Sequence, residues 1–152
     1  MPPWLRNLLA VLIGFLVGSL VKWAIVSLGS WLFPLFDFIF SLENVSLTDS
    51  EKIKEYIREL KPVYLVAPWS VHAIGTAAGA FTAFLLATGD RMKPALIIGV
   101  LFLLMGSSKA WMATGPWFVI LDLGFSYLPM ACLGAFLAGA RKTGKPAAVQ
   151  AI

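Results

Sequence analysis

Residues 8–33 read LLAVLIGFLVGSLVKWAIVSLGSWLF, and this stretch decides the class of the chain. It runs unbroken to Pro34 with a single charge, Lys22. A helix of about 20 apolar residues crosses a hydrocarbon core of about 30 Å. Three more stretches of this kind follow, at about 64–88, 94–112 and 117–140. Pro94 and Pro116 suit first-turn positions, where the missing N–H is not needed. The pattern predicts an all-α membrane four-helix bundle, a single transmembrane domain over 1–152 with an outer loop at 34–63. The first stretch is too long for a signal peptide, and no small-x-small cleavage site follows it.

Composition agrees with this. Of 152 residues, 59% are apolar and 13% charged, where soluble domains carry about 25% charged residues. The partner this implies is the lipid bilayer. The formal charge of +4 does not point to nucleic acid, because the basic residues stand at span ends. A lone cysteine, Cys132, allows neither an internal disulfide nor a cysteine metal site. In its apolar run it is expected to be a small buried residue.

Short basic loops face the cytoplasm. One side carries Arg6, Arg91, Lys93, Arg141, Lys142 and Lys145, with Asp90 as its acid. On the other side, Asp37, Glu43, Asp49, Glu51, Glu55 and Glu59 outnumber Lys52, Lys54, Arg58 and Lys61. Both termini are therefore expected in the cytoplasm. Within the outer loop, Thr48-Asp49-Ser50-Glu51 fits a capping box. Ile53, Tyr56, Ile57 and Leu60 then share one helical face. A short amphipathic helix is expected there, between spans one and two, lying on the membrane or over the mouth of the bundle.

Gly14 and Gly18 form a small-xxx-small pair on span one, and Gly75 and Gly79 another on span two. Such pairs let helix backbones approach closely. They suit packing of span one on span two, or the joining of subunits.

The most informative pattern is polar. Lys22, His72, Lys109 and Asp122 each lie within a different span. With a rise of about 1.5 Å per residue, they stand about 20–27 Å from the inner edge. All four fall in the outer half of the membrane. Charge there needs a partner, water or an escape to the interface. Ser108 and Tyr127 add polar atoms, as do Ser70, Thr76 and Ser107. Gly106-Ser107-Ser108 is expected to loosen span three, and Trp69, Trp111 and Trp117 to wall the region. A pocket open to the outside is one reading. Plainer ones stay open: the lysines can snorkel to headgroups, Asp122 can pair with Lys109 or Lys22 as helix glue, and His72 can be a neutral, singly bonded histidine.

One histidine with one carboxylate makes a poor metal site, and no phosphate loop or dinucleotide fingerprint is present. No cofactor and no metal are therefore expected. Two lysines beside a histidine suit an anion. A histidine and a carboxylate at one depth suit proton relay, since histidines titrate near neutral pH.

His72-Ala73-Ile74-Gly75-Thr76, Trp117-Phe118 with Leu121-Asp122-Leu123, Tyr127-Leu128-Pro129-Met130-Ala131 and the stretch from Met92 to Gly99 carry a resemblance. Together they resemble an uncharacterised family of small bacterial four-helix integral membrane proteins. The likeness covers most of the chain, most strongly from about Val66 to Gly139. It implies a bacterial inner-membrane location, a histidine matching His72 and an aspartate matching Asp122. It implies an uncharged amide where this chain has Lys109, so Lys109 is not carried over as a ligand. No activity follows from it.

The favoured reading is a small multi-pass protein that binds or transports a small solute, ion or proton at an outward-facing polar site. One protomer has little interior room, so a homo-oligomer is expected. The alternative is an accessory or scaffold subunit of a larger membrane complex, docked through its glycine stripes, with the polar residues purely structural. A membrane enzyme ranks last, for want of a nucleophile, metal or cofactor motif.

Overall fold

The computed structural model describes residues 1–32, 66–113 and 116–139. They form five helices: α1 (Pro3–Leu32), α2 (Val66–Leu86), α3 (Met92–Ala113), α4 (Pro116–Phe125) and α5 (Leu128–Leu137). No strand occurs among the described residues. Two helical stretches, Pro3–Gly29 and Trp69–Leu86, are long and apolar enough to cross a membrane. Two more, Met92–Ser107 and Asp122–Leu137, are apolar but shorter. The outer-loop helix expected at 48–60 and the basic tail at 141–145 lie outside the described residues.

Proline and glycine set the helix limits. Pro3 opens α1, earlier than the apolar run itself, and Pro116 opens α4. Pro94 stands in the first turn of α3. Between α2 and α3 the chain turns at Gly89, whose φ of 69° is left-handed, a conformation glycine adopts without a Cβ penalty.

The fourth apolar stretch departs from the expectation of one continuous helix over 117–140. It is two helices of 10 residues each, interrupted at Ser126–Tyr127. Pro129 is the cause. It has no N–H for the Phe125 carbonyl four residues back, and its ring disfavours helical geometry at Leu128. Tyr127 takes φ −113° and ψ −76°, outside the ordinary helical well. The chain then restarts with Pro129 in the first turn of α5. By contrast, α3 stays helical through Gly106, Ser107 and Ser108, so that glycine does not loosen it.

α2 lies at the centre and packs against α1, α3 and α5. Its buried face is mostly of small residues, Ala73, Thr76, Ala80 and Ala83, together with Val71 and Phe84. α1 runs antiparallel to it. A Cβ placed on Gly14 would stand 2.6 Å from the Gly79 carbonyl oxygen, and one on Gly18 would stand 2.7 Å from that of Gly75. Both glycine pairs are thus used inside one chain, helix against helix. At the basic end, Arg6 Nε donates to the Leu86 carbonyl at 2.9 Å, a favourable place for a cation because helix C-termini carry negative dipole charge. Asn7 Oδ1 accepts from the Thr88 backbone N–H at 2.8 Å.

α5 is fixed in the same way. A Cβ on Gly134 would strike the Ala77 carbonyl, and Ala131 lies against Gly99. Ala131, Gly134 and Ala135 form its buried face, which leaves Cys132 on the outer side. Cys132 is exposed, contrary to the expectation of burial. Its position one residue after Ala131 turns it roughly 100° away from that face. Exposed large apolar side chains run the length of α1, among them Leu8, Leu12, Leu16, Leu20 and Trp23.

Candidate functional site

Three of the sequence-predicted site residues meet directly. His72 comes from the first third of α2, Asp122 from the last turn and a half of α4, and Tyr127 from the interruption that follows. His72 Nδ1 lies 3.1 Å from Asp122 Oδ2 and 3.2 Å from Oδ1. An ionised carboxylate can only accept, so Nδ1 carries the hydrogen. The Tyr127 oxygen is 3.1 Å from the same nitrogen and shares that N–H. The phenol in turn donates to Asp122 Oδ2 at 3.4 Å, a long bond.

A further donor was not anticipated from the sequence. Ser126 Oγ donates to Asp122 Oδ1 at 2.7 Å and is fully buried. The signal for it was present, since Ser126 stands four residues after Asp122 and so on the same side of a helical turn. The Asp122 carboxylate therefore gathers donors from His72, Ser126 and Tyr127. Its side chain is 3% exposed, whereas that of His72 is 37% exposed. The carboxylate is sealed in, and the imidazole forms the edge of the cluster.

Local structure holds each piece in place. The Thr76 hydroxyl bonds back to the His72 carbonyl at 2.7 Å within α2. The rings of His72 and Tyr127 lie 5.8 Å apart at 30°. The Tyr127 phenol rests on Gly106 of α3, where a Cβ would coincide with the hydroxyl. Gly106 thus supplies space for Tyr127. Ser107, next to it, turns its hydroxyl back to the Leu104 carbonyl at 2.9 Å and does not join the cluster.

Lys22 approaches from α1. Its stem lies across Gly75, where a Cβ would strike Cγ of the lysine. Its Nζ stands 3.5 Å above the centroid of the Phe102 ring and 5.7 Å from that of Tyr127. A cation over an aromatic face is attracted by the ring quadrupole, which holds the amine beside the cluster. Phe102 is braced by Phe15 of α1, with ring centroids 5.0 Å apart. The carboxylate's partner within the described residues is His72; of the two lysines expected to pair with it, Lys22 is held over Phe102. The side chains of Ser108, Lys109, Trp111 and Trp117 lie outside what the structure describes.

Chemically, the arrangement is a histidine whose ring orientation and tautomer are set by a buried carboxylate. With Nδ1 as the donor, Nε2 of the neutral ring carries a lone pair. Among the described residues no group of three His, Cys, Asp or Glu comes together. The sequence matches no family model, and no curated protein or solved structure proves similar to it. The resemblance drawn from the sequence thus finds no support there, and the functional reading rests on the site.

Proposed function

We propose that this chain is a four-span protein of the bacterial inner membrane, with both termini in the cytoplasm, that binds or transports a small solute, ion or proton at an outward-facing site formed by His72, Asp122 and Tyr127, with Lys22 beside them. One observation carries the reading. A sealed carboxylate, held by side-chain donors from two separate parts of the chain, orients a histidine whose side chain is itself partly open. A bond needed only to join α2 to α4 would not require that openness. The membrane setting is supported by the two long apolar helices and by the apolar side chains exposed along α1. Arg6, Arg91 and Lys93 gather at the end of the bundle away from the site, and short basic segments favour the cytoplasm. The scaffold alternative relied on glycine stripes for docking. Those stripes are occupied within the chain, which counts against it.

The test compares His72→Ala and Asp122→Asn with the parent protein in its own membranes and after reconstitution. Native mass spectrometry reads any retained small molecule, a dye inside the vesicles reads proton flux, and thermal unfolding reads integrity. The proposal expects loss of the retained molecule or of the flux in variants that accumulate and melt near the parent. Variants that keep both, or that lose only stability, would sink it.

A further inference from the structure

We propose that the species taken up by this site is a proton, and that His72 Nε2 receives it. The inference rests on the reading that the site is functional, and it names what the site binds. It follows from which polar atoms are already engaged. Both Asp122 oxygens accept bonds, from His72, Ser126 and Tyr127. The Ser126 and Tyr127 hydroxyls both donate to that carboxylate. His72 Nδ1 donates its hydrogen to it. Within this cluster, Nε2 is the one polar atom that has no partner among the described residues, and it belongs to the most exposed member.

The charges suit a proton. Uptake forms one N–H bond from the Nε2 lone pair and breaks none in the protein. The ring becomes an imidazolium whose charge is met by the carboxylate already bonded to Nδ1, at 3.1 Å. The bonds of the cluster need not be rebuilt, and release is the reverse step. In an apolar setting an uncompensated cation is costly, and here the counter-charge is fixed before the proton arrives. Among the described residues, the groups near the ring are Asp122 from α4, the Tyr127 phenol from the interruption, and, across the Tyr127 ring, the Lys22 ammonium of α1. From α3 the described neighbour of the phenol is Gly106, which carries no charge. α5 presents no charged residue. Lys22 opposes a second positive charge, and Asp122, bonded directly to the ring, opposes that effect.

The chain contains one histidine, so nitrogen NMR of the full-length protein, histidine-labelled and reconstituted in lipid, reports on His72 alone. The expected spectrum at high pH is that of a neutral ring protonated at Nδ1. On acidification of the same sample, Nε2 gains a proton while Nδ1 keeps its own. In Asp122→Asn the neutral ring loses its fixed tautomer. In the same vesicles, an imposed pH gradient should decay through the parent protein and not through His72→Gln. A neutral ring protonated at Nε2, or a ring that keeps one state from about pH 5 to about pH 9, would overturn the proposal. If His72 keeps one state while a retained solute is still lost in His72→Gln, the proton falls and the functional site stands. If His72 keeps one state and no retained solute or flux depends on it, both fall.

Discussion

Replacing Gly106 by alanine tests the geometry of the site without replacing any group that bonds within it. The added Cβ would coincide with the Tyr127 hydroxyl and lie 2.6 Å from Cζ. The phenol has little room to retreat. Tyr127 is 1% exposed, its oxygen is bonded to His72 and Asp122, and its backbone lies against Gly99. Overpacking of this kind costs about 1–3 kcal/mol. Alanine in a helix interior returns about 1 kcal/mol relative to glycine. The net expectation is a loss of about 0–2 kcal/mol. Gly124→Ala is the control: its Cβ meets nothing within 4 Å, so it should be neutral or stabilising by up to about 1 kcal/mol. Tyr127→Phe removes the clashing oxygen. Combined with Gly106→Ala it should recover about 1 kcal/mol, a coupling well above the additivity error of about 0.5 kcal/mol. Recovery stays partial because ring carbon Cζ still meets the new methyl. Thermal unfolding of the four variants in one lipid or detergent supplies the cycle. A Gly106→Ala protein that melts above the parent, or a coupling within about 0.5 kcal/mol of zero, would refute the seating of Tyr127 on Gly106.

Other expectations follow from the same contacts. Asp122→Ala should destabilise by about 1–3 kcal/mol, since it strands donors from three side chains; Asp122→Asn, which keeps one acceptor, should lose less, and thermal unfolding compares the two. Gly14→Leu should force α1 from α2, because even a methyl there stands 2.6 Å from a backbone carbonyl; cysteines placed at Asn7 and Thr88, whose side chain and backbone meet in the parent, should then crosslink less readily than in the parent background. Lys22→Met keeps the stem across Gly75 and removes the cation over Phe102, so it should cost about 0.5–2 kcal/mol of stability.

The helical class and the approximate extent of the first three helices were legible because long apolar runs write them directly, although α1 begins five residues before its apolar run, at Pro3. The meeting of Gly14 and Gly18 with Gly79 and Gly75 was legible only as one of two uses, since spacing shows that a helix can be approached closely but not by what. His72 and Asp122 were visible as an anomaly of charge in apolar sequence. Their direct contact was not, because depth along a helix leaves the direction of a side chain open, and lysines were the more obvious counter-ions for a carboxylate. Cys132 was misjudged for a related reason: an apolar neighbourhood in sequence does not say which face of α5 is buried. Ala131, Gly134 and Ala135 say so only once the close approach to Ala77 and Gly99 is known.

The interruption of the fourth apolar stretch is what makes the cluster geometrically feasible. In an unbroken helix Ser126, four residues after Asp122, points to nearly the same side as the carboxylate. Tyr127, five residues after it, would point about 140° away at 3.6 residues per turn. Both hydroxyls nevertheless reach the carboxylate here. The bend at Ser126–Tyr127 swings the phenol back, and it can do so because Pro129 has already removed the hydrogen bond that would keep the helix straight. The freed backbone joins two pieces with different anchors. α5 is fixed to α2 and α3 by glycine and alanine contacts, while α4 brings Asp122 to His72 of α2. One proline thus accounts for the broken helix, for the position of Tyr127 and, through Tyr127, for the need for glycine at position 106. Pro129→Ala should therefore move the His72 nitrogen resonances although Pro129 is not among the residues bonded to the cluster. If those resonances stay where they are in the parent, the link from proline to site is wrong, and the bend is held by packing alone.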